Sequence, residues 1–293
     1  MKYIITGGAG FIGSHLVDRL NASEACDVTV IDDLSSGKNR AAIQRLYAHD
    51  VSLPLSPVLL EGSEVLIHLA AKARVQPSIA DPVFFNQTNV TGTLRMLWLA
   101  KRLGVRRFVF ASSSSVYGEQ SQMPLSVEQT EPRPVSPYGL QKWIGEQYCR
   151  LFAKLYGLDT VCLRFFNVYG SGMSHGQYAM VIQKFLDQRK RGEPLTIYGD
   201  GSHRRDFTWV GDVVDAILIA ATREEPFGGM ALNVGRGSNV SVAEWAEIVG
   251  GEVTHLPAVP EPSETLAAIS RTKQELAGWH PTQTLQSWLA STR

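Results

Sequence analysis

Across the first 167 residues, short unbroken apolar runs alternate with stretches in which apolar side chains recur every third or fourth position. The runs YIIT, DVTVID, VLIHLA, RFVFASSS and TVCLRF read as strands, since an unbroken apolar segment suits a strand buried on both faces. Between them, FIGSHLVDRL sets Phe11, Ile12, Leu16 and Leu20 on one helical face. The stretch NVTGTLRMLWLAKRLG reads as a helix stopped by Gly104. Such alternation predicts βαβ units and a parallel sheet with helices on both faces.

The texture changes after Asn167. Glycine and polar residues break up the chain to about Gly176, and a helix is expected in YAMVIQKFLDQRKRG. LTIYGDGSHRRDFTWVGDVVDAILIA and ALNVGRGSNVSVAEWAEIVG follow, then a tail with prolines at 257, 260 and 262, a short helical piece and GWHP. The expected organisation is a cofactor-binding domain over 1–167, also receiving parts of 195–235. A smaller, interleaved C-terminal α/β substrate lobe covers mainly 168–293.

Charge adds little: Lys plus Arg and Asp plus Glu each number 28, so no global field recruits nucleic acid or an anionic membrane. The apolar runs stop well short of the roughly 20 residues that span a bilayer. The first residues enter a strand directly rather than a leader peptide, so a soluble cytoplasmic protein is expected. Cys26, Cys149 and Cys162 show no metal-type spacing and sit in apolar segments, as buried reduced thiols do; no metal site is expected.

Chemistry begins at TGGAGFIG, where Gly7, Gly10 and Gly13 lie between a strand and a helix. Glycines there let the backbone turn tightly and approach a pyrophosphate, whose charge faces a helix N-terminus. The next strand ends in Asp32, about 20 residues on, where a carboxylate bonds the adenosine ribose hydroxyls. Its charge repels a 2′-phosphate, which favours NAD over NADP, although Lys38 and Arg40 lie close by in sequence. The pattern predicts a Rossmann-type doubly wound sheet.

The second pattern is SSSSVYG, just after the RFVFA run, followed by SPYGLQK with Tyr138 and Lys142 four residues apart. Residues at that spacing share a helix face. A tyrosine of ordinary pKa, about 10, is a poor base at neutral pH. A nearby ammonium and a positive nicotinamide ring would lower that pKa and let the phenolate take a proton from a sugar hydroxyl. A serine from the strand end would orient the same oxygen.

With these motifs the chain resembles the extended short-chain dehydrogenase/reductase family, in its nucleotide-sugar epimerase/dehydratase branch. TGGAGFIGSH, IDDLSSG, HLAA, ASSSSVYG, SPYGLQK, LRFFNVYG, YGDGSHRRDFTWVGDVVDA, LNVG and GWHP match in order over nearly the whole chain. The resemblance implies Ser113 as the catalytic hydroxyl, with Ser112 the alternative, Tyr138 as the base and Lys142 as the ribose-binding lysine. It implies cofactor contacts from Gly7, Gly10, Phe11, Ile12 and Asp32, adenine contacts from Asp50 and Val51, and a cleft lined by Leu69, Ala70 and Ala71. Asn167 and Arg205 resemble the diphosphate-binding pair, with Ser113 and Tyr138 also touching the sugar. Arg205 could instead pair with Asp206 or Asp212, and Asn89 could bond either backbone or ligand.

The 4,6-dehydratases of this branch carry Asp then Glu after the catalytic hydroxyl; here Ser114 and Ser115 stand there. A 4-epimerase needs only the hydroxyl, the tyrosine and a retained NAD, so C4 epimerisation of a UDP-hexose through a transient 4-keto sugar is the expected reaction. UDP-glucose/UDP-galactose or the N-acetyl forms are the expected substrates. The alternatives are a 4-ketoreductase, a C2 or uronate epimerase, or an idle dinucleotide sensor. One departure stands out: PAVPEPSETLAAIS lacks the arginine with which many relatives grip the second phosphate or the ribose, leaving Arg271 or another cation to replace it. By the same resemblance, the position that walls the sugar 2-substituent is expected near Thr265. Leu97, Trp98, Leu151 and Phe152 suggest a homodimer built on paired helices.

Overall fold

The computed structural model describes residues 1–35, 43–174, 180–258 and 262–292. Lys38, Arg40, Gly176 and Pro260 lie outside the described residues. In chain order the first half comprises β1 (Lys2–Thr6), α1 (Phe11–Asn21), β2 (Asp27–Asp32), β3 (Leu46–Ala48), β4 (Val65–His68), α2 (Val75–Ala80), α3 (Pro82–Asn86), α4 (Thr93–Leu103), β5 (Arg107–Ser113), α5 (Pro137–Tyr156) and β6 (Asp159–Phe165). The second half adds β7 (Val168–Tyr169), α6 (Val181–Arg191), β8 (Leu195–Tyr198), β9 (Arg204–Arg205), β10 (Thr208–Trp209), α7 (Val210–Thr222), β11 (Met230–Val234), β12 (Val240–Ser241), α8 (Val242–Val249), β13 (Val253–Leu256), α9 (Ser270–Glu275) and α10 (Leu285–Thr292).

Seven strands form one parallel sheet in the order β11-β6-β5-β4-β1-β2-β3. All five strands read from the sequence are there. Side-chain alternation explains their unbroken apolar character: Tyr3, Ile5, Val109 and Ala111 pack on one face, with α1 and α7. Ile4, Phe108 and Phe110 pack on the other, with α4 and α5. Because helices cover both faces, neither register position can be polar. β11 and α7, from the later stretch, complete this sheet layer.

The expected helix over 89–104 is present but begins differently. Residues 87–92 form a π-helical turn that runs into α4, which Gly104 ends with φ 65°. Outside the sheet, α6, β8, α8 and α10 surround a separate core that includes Phe185, Trp245 and Trp288. Of the residues expected to pair two subunits, Leu97 and Phe152 are core side chains at 0% and 5% exposure, whereas Trp98 and Leu151 are exposed at 47% and 44%. Cys149 and Cys162 are buried thiols and Cys26 is partly buried. Among the described residues no helix is long and apolar enough to cross a membrane, and no cluster of His, Cys, Asp and Glu could hold a metal ion.

Candidate active site

The cleft opens at the carboxyl ends of β1, β4 and β5. The β1–α1 turn carries Gly7 in the left-handed region (φ 73°), where an added β-carbon would lie 2.6 Å from the Ala70 amide nitrogen. Gly7 thereby brings the turn against Leu69, Ala70 and Ala71, the residues expected to line the cleft. Gly10 behaves differently: a β-carbon there would meet only the Gly7 carbonyl, at 3.2 Å, so its other side is open for a pyrophosphate to approach. Phe11 and Ile12 begin α1 immediately after it. The Asp32 carboxylate, at the end of β2, accepts from the Ala9 amide at 2.9 Å and the Leu34 amide at 2.8 Å. It is thereby fixed at the rim of the turn, the place where the sequence led one to expect the adenosine ribose. Asp50 follows β3 and accepts from the Ser52 amide, while Val51 is buried in the sheet's second face. These positions fit a dinucleotide with an unphosphorylated adenosine ribose.

Beyond that rim, α5 carries Tyr138 and Lys142, the pair expected to react. Ser136 caps its N-terminus by accepting from the Gly139 amide at 3.1 Å, and Pro137 occupies the first turn, where its missing N–H costs nothing. Gly145 lets the helix seat on β5, since a β-carbon there would lie 2.5 Å from the Phe110 ring. Tyr138 and Lys142 consequently face the strand end. Lys142 is buried and donates from Nζ to the Ala111 carbonyl at 2.8 Å, 6.0 Å from the centroid of the Tyr138 ring. Burial brings its pKa down to about 8, with Cys149 and Glu146 opposing the shift.

The strand's alternation separates the serines. Ser112 turns inward and donates to Glu146 Oε1 at 2.5 Å. Ser113 turns to the cleft, where its hydroxyl bonds Ser115 and lies near enough to the Tyr138 phenol to act on its ionisation. The structure therefore brings Ser113, Tyr138 and Lys142 together and sends Ser112 elsewhere. Tyr138 departs from the simple expectation. Burial raises its pKa above that of an ordinary phenol; Ser113 and the nearby Arg74 guanidinium pull it down without prevailing. A depressed tyrosine pKa is thus not a property of the protein alone, because desolvation outweighs the neighbouring positive charge.

Asn89 acts on backbone. Its side chain accepts from the Lys72 amide and donates to the Lys72 carbonyl, both at 2.9 Å, and also donates to Gln141 Oε1. It ties the cleft loop to the helix turn that carries Lys142. Behind it, buried His68 bridges Thr6 Oγ1 at 2.7 Å and Thr93 Oγ1 at 3.1 Å. Burial and then Lys142 lower its pKa to about 3, so it is a neutral spacer rather than a base.

On the opposite side lie the residues expected at the diphosphate. Asn167 adopts φ 27° and donates from Nδ2 to the Asp206 carbonyl at 2.9 Å and to Thr265 Oγ1 at 3.3 Å. Arg205 is buried and donates to the carbonyls of Arg204 and Ser263. The Asp206 carboxylate accepts from the amides of Arg236, Gly237 and Ala267, and Asp212 accepts from Thr282. Arg271 pairs with Glu275 at 2.8 Å and Glu128 at 3.8 Å on the outside of α9. Sequence reading missed Arg74, whose only sequence signal is a cation between the HLAA stretch and the next helix.

Comparison with known proteins places this geometry. The model of the NAD dependent epimerase/dehydratase family matches residues 3–235. The chain is 37% identical over its whole length to 97% of the UDP-glucose 4-epimerase of Mycolicibacterium smegmatis. The crystal structure of the Thermotoga maritima UDP-glucose 4-epimerase with UDP-glucose superposes with a TM-score of 0.90 at 33% identity, covering 99% of this chain and 96% of that one. The UDP-glucuronic acid 4-epimerase of Bacillus cereus, in complex with UDP-glucuronic acid and NAD, gives 0.89 at 30% identity, covering 99% and 97%. The whole fold thus has full-length counterparts, and the chain belongs to the NAD dependent epimerase/dehydratase family, with NAD as its cofactor.

Proposed function

We propose that this enzyme inverts C4 of a nucleotide-activated hexose of the glucose/galactose series, most simply a UDP-sugar. The observation that carries the reading is the Ser113–Tyr138–Lys142 cluster with serines, not carboxylates, at 114 and 115. Without an acid pair beside the catalytic hydroxyl, dehydration has no proton shuttle. The similarity to 4-epimerases supports the same choice.

NAD supplies a hydride acceptor and donor. The Gly7–Gly10 turn with Phe11 and Ile12 holds its pyrophosphate, Asp32 its adenosine ribose, Asp50 and Val51 flank the adenine, and Leu69, Ala70 and Ala71 wall the cleft. Lys142 holds the second ribose. Tyr138 takes the proton from the 4-hydroxyl and returns it to the inverted oxygen, and Ser113 orients that oxygen in both steps. Because burial keeps the Tyr138 proton on, ionisation of the phenol depends on the charges gathered around it in the loaded enzyme. Arg205 and Asn167 hold the diphosphate, so that residues 1–167 serve mainly the cofactor and 168–293 mainly the sugar nucleotide. The exposed Trp98 and Leu151 face a second copy of the chain in a cytoplasmic homodimer.

Purified enzyme with no added cofactor, incubated with UDP-galactose or UDP-N-acetylgalactosamine and followed by NMR, should yield the C4 epimer of at least one. No epimer from either sugar, together with stoichiometric oxidation of added NADH or NADPH by a 4-keto nucleotide sugar, would replace this reading with a ketoreductase.

A further inference from the structure

Arg74 sits between the cleft residues Leu69–Ala71 and α2, and nothing derived so far uses it as a ligand. Its position is fixed relative to the base. Ser78 Oγ donates to the Val75 carbonyl at 2.6 Å and accepts from the Tyr138 amide at 3.1 Å, so the backbone next to Arg74 is two hydrogen bonds from Tyr138. The residue is held at φ 130° and ψ 134°, a conformation that a β-carbon disfavours, and such strain concentrates where a side chain must be aimed.

The charge on that side chain is uncompensated. Lys72, the other cation of the loop, is neutralised by Asp33 at 2.8 Å. Arg74 is half-buried, couples electrostatically to Tyr138, and makes no hydrogen bond or ion pair among the described residues. A partly desolvated guanidinium calls for an anion, and its planar fork matches a carboxylate with two parallel bonds. The diphosphate does not meet this need, because it lies at C1, across the ring from the carbon on which Tyr138 acts. Next to C4, the ring carbon C5 bears C6, which becomes a carboxylate in a hexuronate.

We propose that Arg74 recognises a carboxylate at C6, so that the preferred substrate is a nucleotide-linked hexuronate rather than a neutral hexose. The inference rests on the C4-epimerase reading and narrows it. Binding of UDP-glucuronic acid by the Bacillus cereus relative shows that a fold of this shape accommodates such a sugar.

The test compares kcat/KM for UDP-glucuronate and UDP-glucose in the wild type, Arg74→Gln, Arg74→Lys and Arg74→Gly. The wild type should favour UDP-glucuronate by about 100-fold, the size expected when a site built for a charged group meets a neutral one. Arg74→Gln should lose at least about 30-fold more on the uronate than on UDP-glucose, mostly through KM, with Arg74→Lys recovering part of it. Arg74→Gly relieves the strained backbone, so it should melt no lower than wild type while showing the same split. A wild type that prefers UDP-glucose overturns the inference and leaves C4 epimerisation standing. Equal losses on both sugars, with a displaced pH–rate limb, also overturn it, by making Arg74 a partner of Tyr138 alone. Turnover of neither nucleotide sugar by NAD-loaded wild type overturns the epimerase reading and this inference with it.

Discussion

Two buried ionisable groups, one in each half of the molecule, are used in opposite ways. Lys142 lies under the cofactor cleft, with one hydrogen bond, to the Ala111 carbonyl, and a pKa brought down to about 8 by burial. Asp206 lies in the later half of the chain, fully buried, with three backbone amides on its carboxylate, and burial raises its pKa to about 6. The lysine holds few bonds and leaves its charge for a ligand. The carboxylate spends its bonds joining β9–β10 to the 235–237 turn and the 263–268 segment. A charge left for a ligand and a charge tied into the architecture are thus different buried groups.

The largest effect should come from Tyr138→Phe, which removes the proton carrier and leaves the ring. Turnover should fall by about 10³-fold or more, with thermal stability nearly unchanged. A mild loss would move the base elsewhere.

Next, Lys142→Met and Asp206→Ala should separate cleanly. The methionine variant should lose about 10²-fold or more in kcat yet melt no lower in the cofactor-free state, since it removes a buried charge that folding must desolvate. The alanine variant leaves three amide donors without their acceptor and should lose on the order of 2–3 kcal/mol of stability in urea titration. Equal destabilisation by both would erase the distinction.

The pH dependence sharpens it further. Asp206 has a folded pKa of about 6 against 3.8 unfolded, so the folded state binds more protons between those values. Its contribution is therefore most favourable at low pH and is lost as pH rises through that window, with a slope of at most about 1.4 kcal/mol per pH unit. Lys142 has a folded pKa of about 8 against 10.5, so its burial costs least above pH 10.5 and most below 8. The stability difference between wild type and Asp206→Asn, measured from pH 4 to 6.5, should fall as pH rises; a flat difference would remove the buried-acid account.

The smallest expected contrast lies within β5. Ser113→Ala should lower kcat by about 10-fold or more, whereas Ser112→Ala should cost about 1 kcal/mol of stability by leaving Glu146 short of a donor, with kcat close to wild type. The reverse pattern would exchange the two hydroxyls' roles.

The first half of the chain was largely legible in the sequence because its signals are local. The Gly7 turn follows its strand directly and Tyr138 and Lys142 share one helix face, whereas Ser113 and Ser112 stayed alternatives until the packed strand separated them. The other half was less legible because its partners meet only in three dimensions. Thr265 was placed at a sugar wall by resemblance, yet its hydroxyl accepts from Asn167, 98 residues away. Leu97 and Phe152 looked available for dimerisation, but only packing shows that they fill the core while Trp98 and Leu151 stay exposed. Arg74 escaped notice since its importance lies in an unusual backbone angle and a missing acid partner, neither of which a sequence displays. β3, at three residues, is too short for periodicity to register.

The central claim is that C4 inverts by hydride leaving to, and returning from, a retained cofactor. The most direct measurement is epimerisation in D2O without added NAD, with products read by NMR and mass spectrometry. The account predicts interconverted C4 epimers carrying no deuterium on carbon. Deuterium at C4 or C5 would mean carbon deprotonation by a protein base, and would contradict it.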